Sequence, residues 1–136
     1  MPVFFDVPVL RASKGISFLV DTGSTFSAIT EKEATLAGID CFSLPEFPKE
    51  SIGFGGLFRQ KVINHPVHLR FGSDNIIHTI NYDSGFRVTC IPPGASPKDR
   101  EIMLRRTPCI LGMDILSKFK LYLDKKKLEL TLVQSK

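Results

Sequence analysis

The residues best suited to chemistry are Asp21-Thr22-Gly23-Ser24, which close a short apolar run, Ser17-Phe18-Leu19-Val20. A strand that ends there presents a carboxylate, an acid–base group, at its tip, where a cleft can form. Gly23 lets backbone approach a bound molecule closely. The tripeptide alone is a weak signal, because Asp-Thr-Gly is also an ordinary chain reversal. Other candidates carry less. His65 and His68 lie three apart on an expected strand, so they point to opposite faces, and with His78 they form no metal-ligand spacing. No metal and no cofactor is expected. Cys41, Cys90 and Cys109 are odd in number and far apart, with no CxxC pair, and read as buried free thiols in a reducing compartment.

Two further segments stand in order along the chain. Ile52-Gly53-Phe54-Gly55-Gly56-Leu57-Phe58 is glycine-rich among large apolar residues, which suits a flexible hairpin tip better than a core strand. Thr107-Pro108-Cys109-Ile110-Leu111-Gly112 leads into Met113-Asp114-Ile115-Leu116, and the apolar spacing from Met113 to Phe119 predicts a short helix.

The elements around these motifs read as mostly β. Val3 to Leu10 and Ile16 to Val20 predict a hairpin turning over residues 11–15. Thr30 with Glu33 three residues on predicts a capped helix through Leu36, stopped by Gly38. Val62 to Phe71 and Ile76 to Tyr82 predict strands around residues 72–75, and residues 91–97 a loop. Residues 99–106 fit a helix or a strand equally. Leu121 and Leu123, then Leu128, Leu130 and Leu132, alternate with polar residues and predict a C-terminal hairpin turning at Lys125-Lys126.

Taken together and in this order, Leu19-Val20-Asp21-Thr22-Gly23-Ser24, Gly53-Phe54-Gly55-Gly56 and residues 107–116 resemble the retropepsin-like, or retroviral-type, family of aspartic proteases. The likeness is to its cellular and prokaryotic single-domain members. It implies one domain over residues 1–136 with a mainly β, closed barrel-like acid protease half-unit, one short C-terminal helix and a C-terminal β-hairpin. It also implies an aspartic endopeptidase that works as a homodimer on polypeptide substrates and is inhibited by pepstatin. Asp21 would supply one of two carboxylates that activate a water, since the chain holds a single Asp-Thr-Gly. Asp114 falls where the family uses the residue structurally.

The resemblance further assigns roles residue by residue. Thr22 would hydrogen-bond across the two-fold axis, Gly23 would offer its carbonyl to substrate, and the Ser24 hydroxyl would donate to Asp21. That donation would depress the Asp21 pKa, so Ser24→Ala would move an acidic optimum upward. Gly53, Phe54, Gly55 and Gly56 would form a flap closing over the peptide. Leu19, Thr25 and Ile110, with Phe26, would line the subsites and favour apolar residues beside the scissile bond. Thr25 and Met113 stand where viral enzymes place an acidic residue and an arginine, and residues 84–106 are longer than in the minimal viral enzymes. A dimer that binds peptides with little turnover is the alternative.

Composition excludes other classes. The chain has 136 residues, 43% hydrophobic and 24% charged, with a net charge of +4. Its densest basic piece, Lys125-Lys126-Lys127, lacks interleaved aromatics, and Lys98, Arg100, Arg105 and Arg106 read as solvated charges, so no nucleic-acid partner is expected. No apolar run reaches the ~18 residues a membrane span needs, and the N-terminus lacks a basic-then-apolar pattern. The expectation is a cytoplasmic protein with no membrane partner.

Overall fold

A computed structural model of the chain describes residues 1–47, 51–53, 56–73, 76–124 and 129–134. Among these residues, eleven strands fall into a nine-stranded sheet, ordered β4-β5-β8-β3-β9-β2-β1-β6-β7, and a separate pair, β10-β11. The strands are β1 (Pro2–Val7), β2 (Ala12–Val20), β3 (Ala28–Thr30), β4 (Ser51–Gly53), β5 (Gly56–Ile63), β6 (Val67–Ser73), β7 (Ile76–Tyr82), β8 (Phe86–Cys90), β9 (Cys109–Leu111), β10 (Phe119–Asp124) and β11 (Glu129–Gln134). The α-helices among the described residues are α1 (Glu31–Ala37), α2 (Pro97–Arg106) and α3 (Met113–Leu116). No helix among the described residues is long and apolar enough to cross a membrane.

Alternation sets the core. Val3, Phe5 and Val7 on β1, Ile16 and Phe18 on β2, Val67, Leu69 and Phe71 on β6, and Phe86, Val88 and Cys90 on β8 are all buried. Phe5 and Phe86 meet edge to face at the centre, their ring centroids 5.4 Å apart. The chain order places β9 between β2, which it pairs in parallel, and β3, which it pairs antiparallel. The loop from β2 to β3, which carries Asp21, therefore passes over the end of β9.

Three expected boundaries moved. The β1–β2 turn comes earlier, at residues 8–11: Pro8 begins a 3₁₀ turn, Arg11 takes φ 52°, and Val7 pairs with Ala12. Ala12 is fully buried, which draws residues 12–15 into β2 instead of the turn. The run from Val62 to Phe71 is two strands, because β5 ends at Ile63 and β6 begins after Pro66, which offers no ladder N–H. The C-terminal helix stops at Leu116, and Phe119 already belongs to β10. Residues 99–106 lie in α2, so that the chain holds more helix than one short C-terminal segment. Ser96 caps α2 by accepting from the Asp99 N–H at 3.1 Å, and Pro97 opens it. Within residues 84–106, β8 is an interior strand of the sheet. The expected Lys125-Lys126 turn lies outside the described residues.

Helix α1 formed as its caps dictate. Thr30 Oγ1 accepts from Glu33 N at 3.3 Å, and Gly38, at φ 103°, ends the helix while Ile39 N bonds to Ala34 O. Thr30 is 5% exposed, so the lost acceptor would not be replaced freely by water. Thr30→Ala is expected to lower unfolding free energy by about 1 kcal/mol, with Thr30→Ser near native, as read by chemical denaturation.

Candidate active site

The loop between β2 and β3 is held from within and from below. Asp21 N donates to Leu111 O at 3.0 Å, which ties the start of the loop to the end of β9. Gly23 N donates to Asp21 Oδ1 at 2.9 Å and Ser24 N to Asp21 O at 3.2 Å, a turn closed by the carboxylate itself. A Cβ at residue 23 would stand 3.2 Å from that same Oδ1, so glycine keeps the carboxylate unhindered. Thr22 and Gly23 are exposed at the tip, and Asp21 is half-buried.

Beneath the loop, Asp114 gathers four donors. Its carboxylate accepts from Ser27 Oγ at 2.6 Å, Ser27 N at 3.0 Å, Ile115 N at 2.8 Å and Tyr82 OH at 3.1 Å. Ser27 Oγ in turn accepts from Gly112 N at 2.9 Å. Two main-chain bonds complete the seam, Met113 N to Ser24 O at 2.8 Å and Asp114 N to Thr25 O at 3.1 Å. Asp114 thus fills the structural role expected of it. Ser27 and Tyr82 were not singled out from the sequence; a serine six residues after an aspartate carries no local signal of a partner 87 positions away.

Leu19 and Ile110 face each other in register across β2 and β9, and Ile110 is in turn opposite Ala28. Their opposite faces, Phe18, Cys109 and Leu111, are buried. Leu19 is 47% exposed and lies two residues before Asp21, so both belong to the open face of the sheet. Thr25 is exposed and meets the seam through its carbonyl. Gly53 and Gly56 pair across the β4–β5 hairpin, while Phe54 and Gly55 lie outside the described residues. One expectation is overturned. The Ser24 hydroxyl donates to Phe26 O at 2.8 Å, so its single proton is not directed at Asp21.

No protein-family model matches the chain, and no curated protein does. The crystal structure of a retropepsin-like aspartic protease from Rickettsia conorii is similar to it, at a TM-score of 0.53 and 19% identity. The likeness covers 97% of this chain and 79% of that one. The fold is retropepsin-like.

Within this retropepsin-like fold, no cluster of three or more His, Cys, Asp or Glu among the described residues could hold a metal ion. His65 stands in the turn between β5 and β6, away from the strand on which it was expected. The three cysteines are free and buried, and burial pushes the Cys90 thiol up to about 12.

Gly112 is required by contact and not by backbone conformation, since its φ of −98° suits any residue. A Cβ there would fall 2.5 Å from Phe26 O and 2.8 Å from Ser24 O. Gly112→Ala is expected to cost about 3 kcal/mol and to displace the Asp21 loop, measured by denaturation and by amide exchange of residues 21–27.

Burial, the Asp114 charge and the bond to it together raise the Tyr82 pKa from 10.0 to about 12. The folded state therefore holds this proton more tightly than the unfolded chain. Its contribution is complete below about pH 10 and is lost as pH rises towards 12. In Tyr122→Phe protein, phenolate absorbance is expected to rise only in that upper range, coincident with falling stability. Tyr82→Phe should remove this part of the alkaline loss.

Proposed function

We propose that the whole chain, residues 1–136, is one half of an aspartic endopeptidase and that two copies assemble the active site. The observation carrying this reading is the Asp21 carboxylate, set at the open end of β2 with Oδ1 fixed by the Gly23 N–H. Each chain has one such group, so a two-fold axis beside the loop would bring two together. Like charges at that spacing cannot both ionise, and aspartic proteases are the standard illustration of such a shared proton. The ionised carboxylate takes a proton from a water held between the pair. The protonated one polarises the peptide carbonyl. The tetrahedral product then collapses with protonation of the leaving amine, and no covalent intermediate forms.

In this reading Thr22 bonds across the axis to the partner loop, and Gly23 offers its carbonyl to the substrate. Ser24 acts by fixing loop shape through Phe26 O, which leaves the acid limb of the pH profile unshifted in Ser24→Ala. Leu19, Thr25 and Ile110 line the cleft, and the first and last favour apolar residues beside the scissile bond. The β4–β5 hairpin, with Gly53, Phe54, Gly55 and Gly56, closes over the peptide as a flap and excludes water. The three unbridged thiols suit a reducing, cytoplasmic setting.

The test incubates purified protein with an unfolded substrate protein from about pH 3 to 7, with and without pepstatin, beside Asp21→Asn. Cleavage should be strongest at acid pH and rise more steeply than linearly with enzyme concentration at dilution. Pepstatin should block it, and Asp21→Asn should lower it by about three orders of magnitude or more. Undiminished cleavage by Asp21→Asn overturns the mechanism. Tight peptide binding without any cleavage would favour the binding-dimer alternative.

A further inference from the structure

The open face that carries Leu19 continues across four more strands. In register, Leu19 lies opposite Ile110, Ile110 opposite Ala28, Ala28 beside Arg87, and Arg87 opposite Val62. Four of these are apolar and one is a cation. The Arg87 side chain is not extended into solvent. Its guanidinium carbon stands 3.5 Å from the Phe26 ring centroid and 4.0 Å from that of Phe47. Phe26 belongs to the loop carrying Asp21, and Phe47 to the segment leading into the β4–β5 hairpin. Arg87 therefore sits between the loop and the base of the hairpin.

Aromatic stacking covers the faces of a guanidinium and leaves its N–H groups, which lie in its plane, uncovered. Among the described residues no hydrogen bond and no ion pair reaches those groups. Asp114, whose charge acts on Arg87, spends its carboxylate on four other donors. Burial pushes the Arg87 pKa down, with Tyr82 and Asp114 pulling it back, so the charge is partly desolvated and incompletely answered. A rigid planar fork in that state matches a carboxylate in a two-point bond.

Building on the peptidase reading, we propose that Arg87 is a specificity-determining residue that selects substrates with an acidic side chain near the scissile bond. Three strand spacings separate Leu19 from Arg87, about 14 Å, and an arginine side chain covers part of that span. An acidic residue roughly two to four positions from the cleaved bond would reach it. The substrate class sharpens accordingly: apolar at the centre, carrying one Asp or Glu to the side.

The test uses labelled peptides with an apolar centre and Gln flanks, in which Glu replaces one flank Gln at a time. Binding is measured with Asp21→Asn protein at about pH 6.5, where the peptide carboxylate is ionised. Cleavage is measured with the unaltered chain. At one position Glu should bind about tenfold or more tighter than Gln, with the ratio shrinking as salt rises. Adding Arg87→Gln should bring that ratio to about one. Arg87→Lys, which keeps the charge but loses the planar fork, should give an intermediate ratio and serves if Arg87→Gln does not fold. Because each ratio is taken on one protein sample, a loss of folded fraction does not alter it. Equal binding of Glu and Gln peptides at every position overturns the proposal, as does a preference that survives both Arg87 variants. Glu-selective binding with no cleavage of any peptide would instead overturn the peptidase reading alone.

Discussion

The Asp114 carboxylate, with Ser27 above it and Gly112 beside it, is the contact on which the placement of Asp21 depends. A half-buried charge is costly unless its oxygens are answered, and here two oxygens accept from two main-chain N–H groups and two hydroxyls. An ionised carboxylate is the one short side chain that only accepts and can take four donors at once. An amide in its place would turn one NH₂ towards donors and leave them facing a group with nothing to accept. The same acceptor joins the loop (Ser27), the helix start (Ile115) and β7 (Tyr82), so three separate elements are fixed by one group.

This contact follows from the order of strands. With β9 lying between β2 and β3, the connecting loop must bridge two strand spacings, about 10 Å, over the end of β9. The chain leaving β9 then runs directly under the loop. Room exists there only for backbone, which is why residue 112 has no side chain and why Phe26 O and Ser24 O can approach it so closely. The bonds that result, Asp21 N to Leu111 O and Met113 N to Ser24 O, are main chain on both sides. Held this way, the carboxylate of Asp21 is positioned by peptide groups that carry no rotamer freedom.

What could be read from the sequence was local. The α1 caps, Thr30 with Glu33 and Gly38, are adjacent in the chain and acted as their types dictate. Asp21-Thr22-Gly23 and Ile110-Leu111-Gly112 were recognisable because each motif is contiguous. Ser96-Pro97 followed by Asp99, with Arg105-Arg106 at the far end, was an equally local signature for α2 and would have decided between helix and strand. The β1–β2 turn was misplaced because Gly15 looked like the turn residue, whereas burial of Ala12 and the fixed φ of Pro8 decided the register. Pro66 similarly divides what alternation alone joined. Ser27, Tyr82 and Arg87 were out of reach for another reason: their partners are distant in sequence, and only the strand order brings them together. The Ser24 hydroxyl was misassigned since a nearby carbonyl competed with the carboxylate for its proton.

The departure at Thr25 and Met113 gains a physical meaning from the same seam. Where the resembled viral enzymes place a charged pair, this chain bonds the loop to the helix start through the Thr25 and Ser24 carbonyls and the Asp114 and Met113 N–H groups. Main-chain bonds of this kind are indifferent to the side chains that carry them, so the loop does not need the pair to keep its shape. Met113, 38% exposed, presents an apolar side chain at the start of α3, and Leu19 and Phe26 are exposed too. Exposed apolar side chains of this size gain once a second copy or a peptide removes them from water. A positive charge does reach the loop from another strand, since the Arg87 guanidinium lies against the Phe26 ring. It lies on the open face of the sheet, and since no carboxylate among the described residues pairs with it, a ligand could supply one.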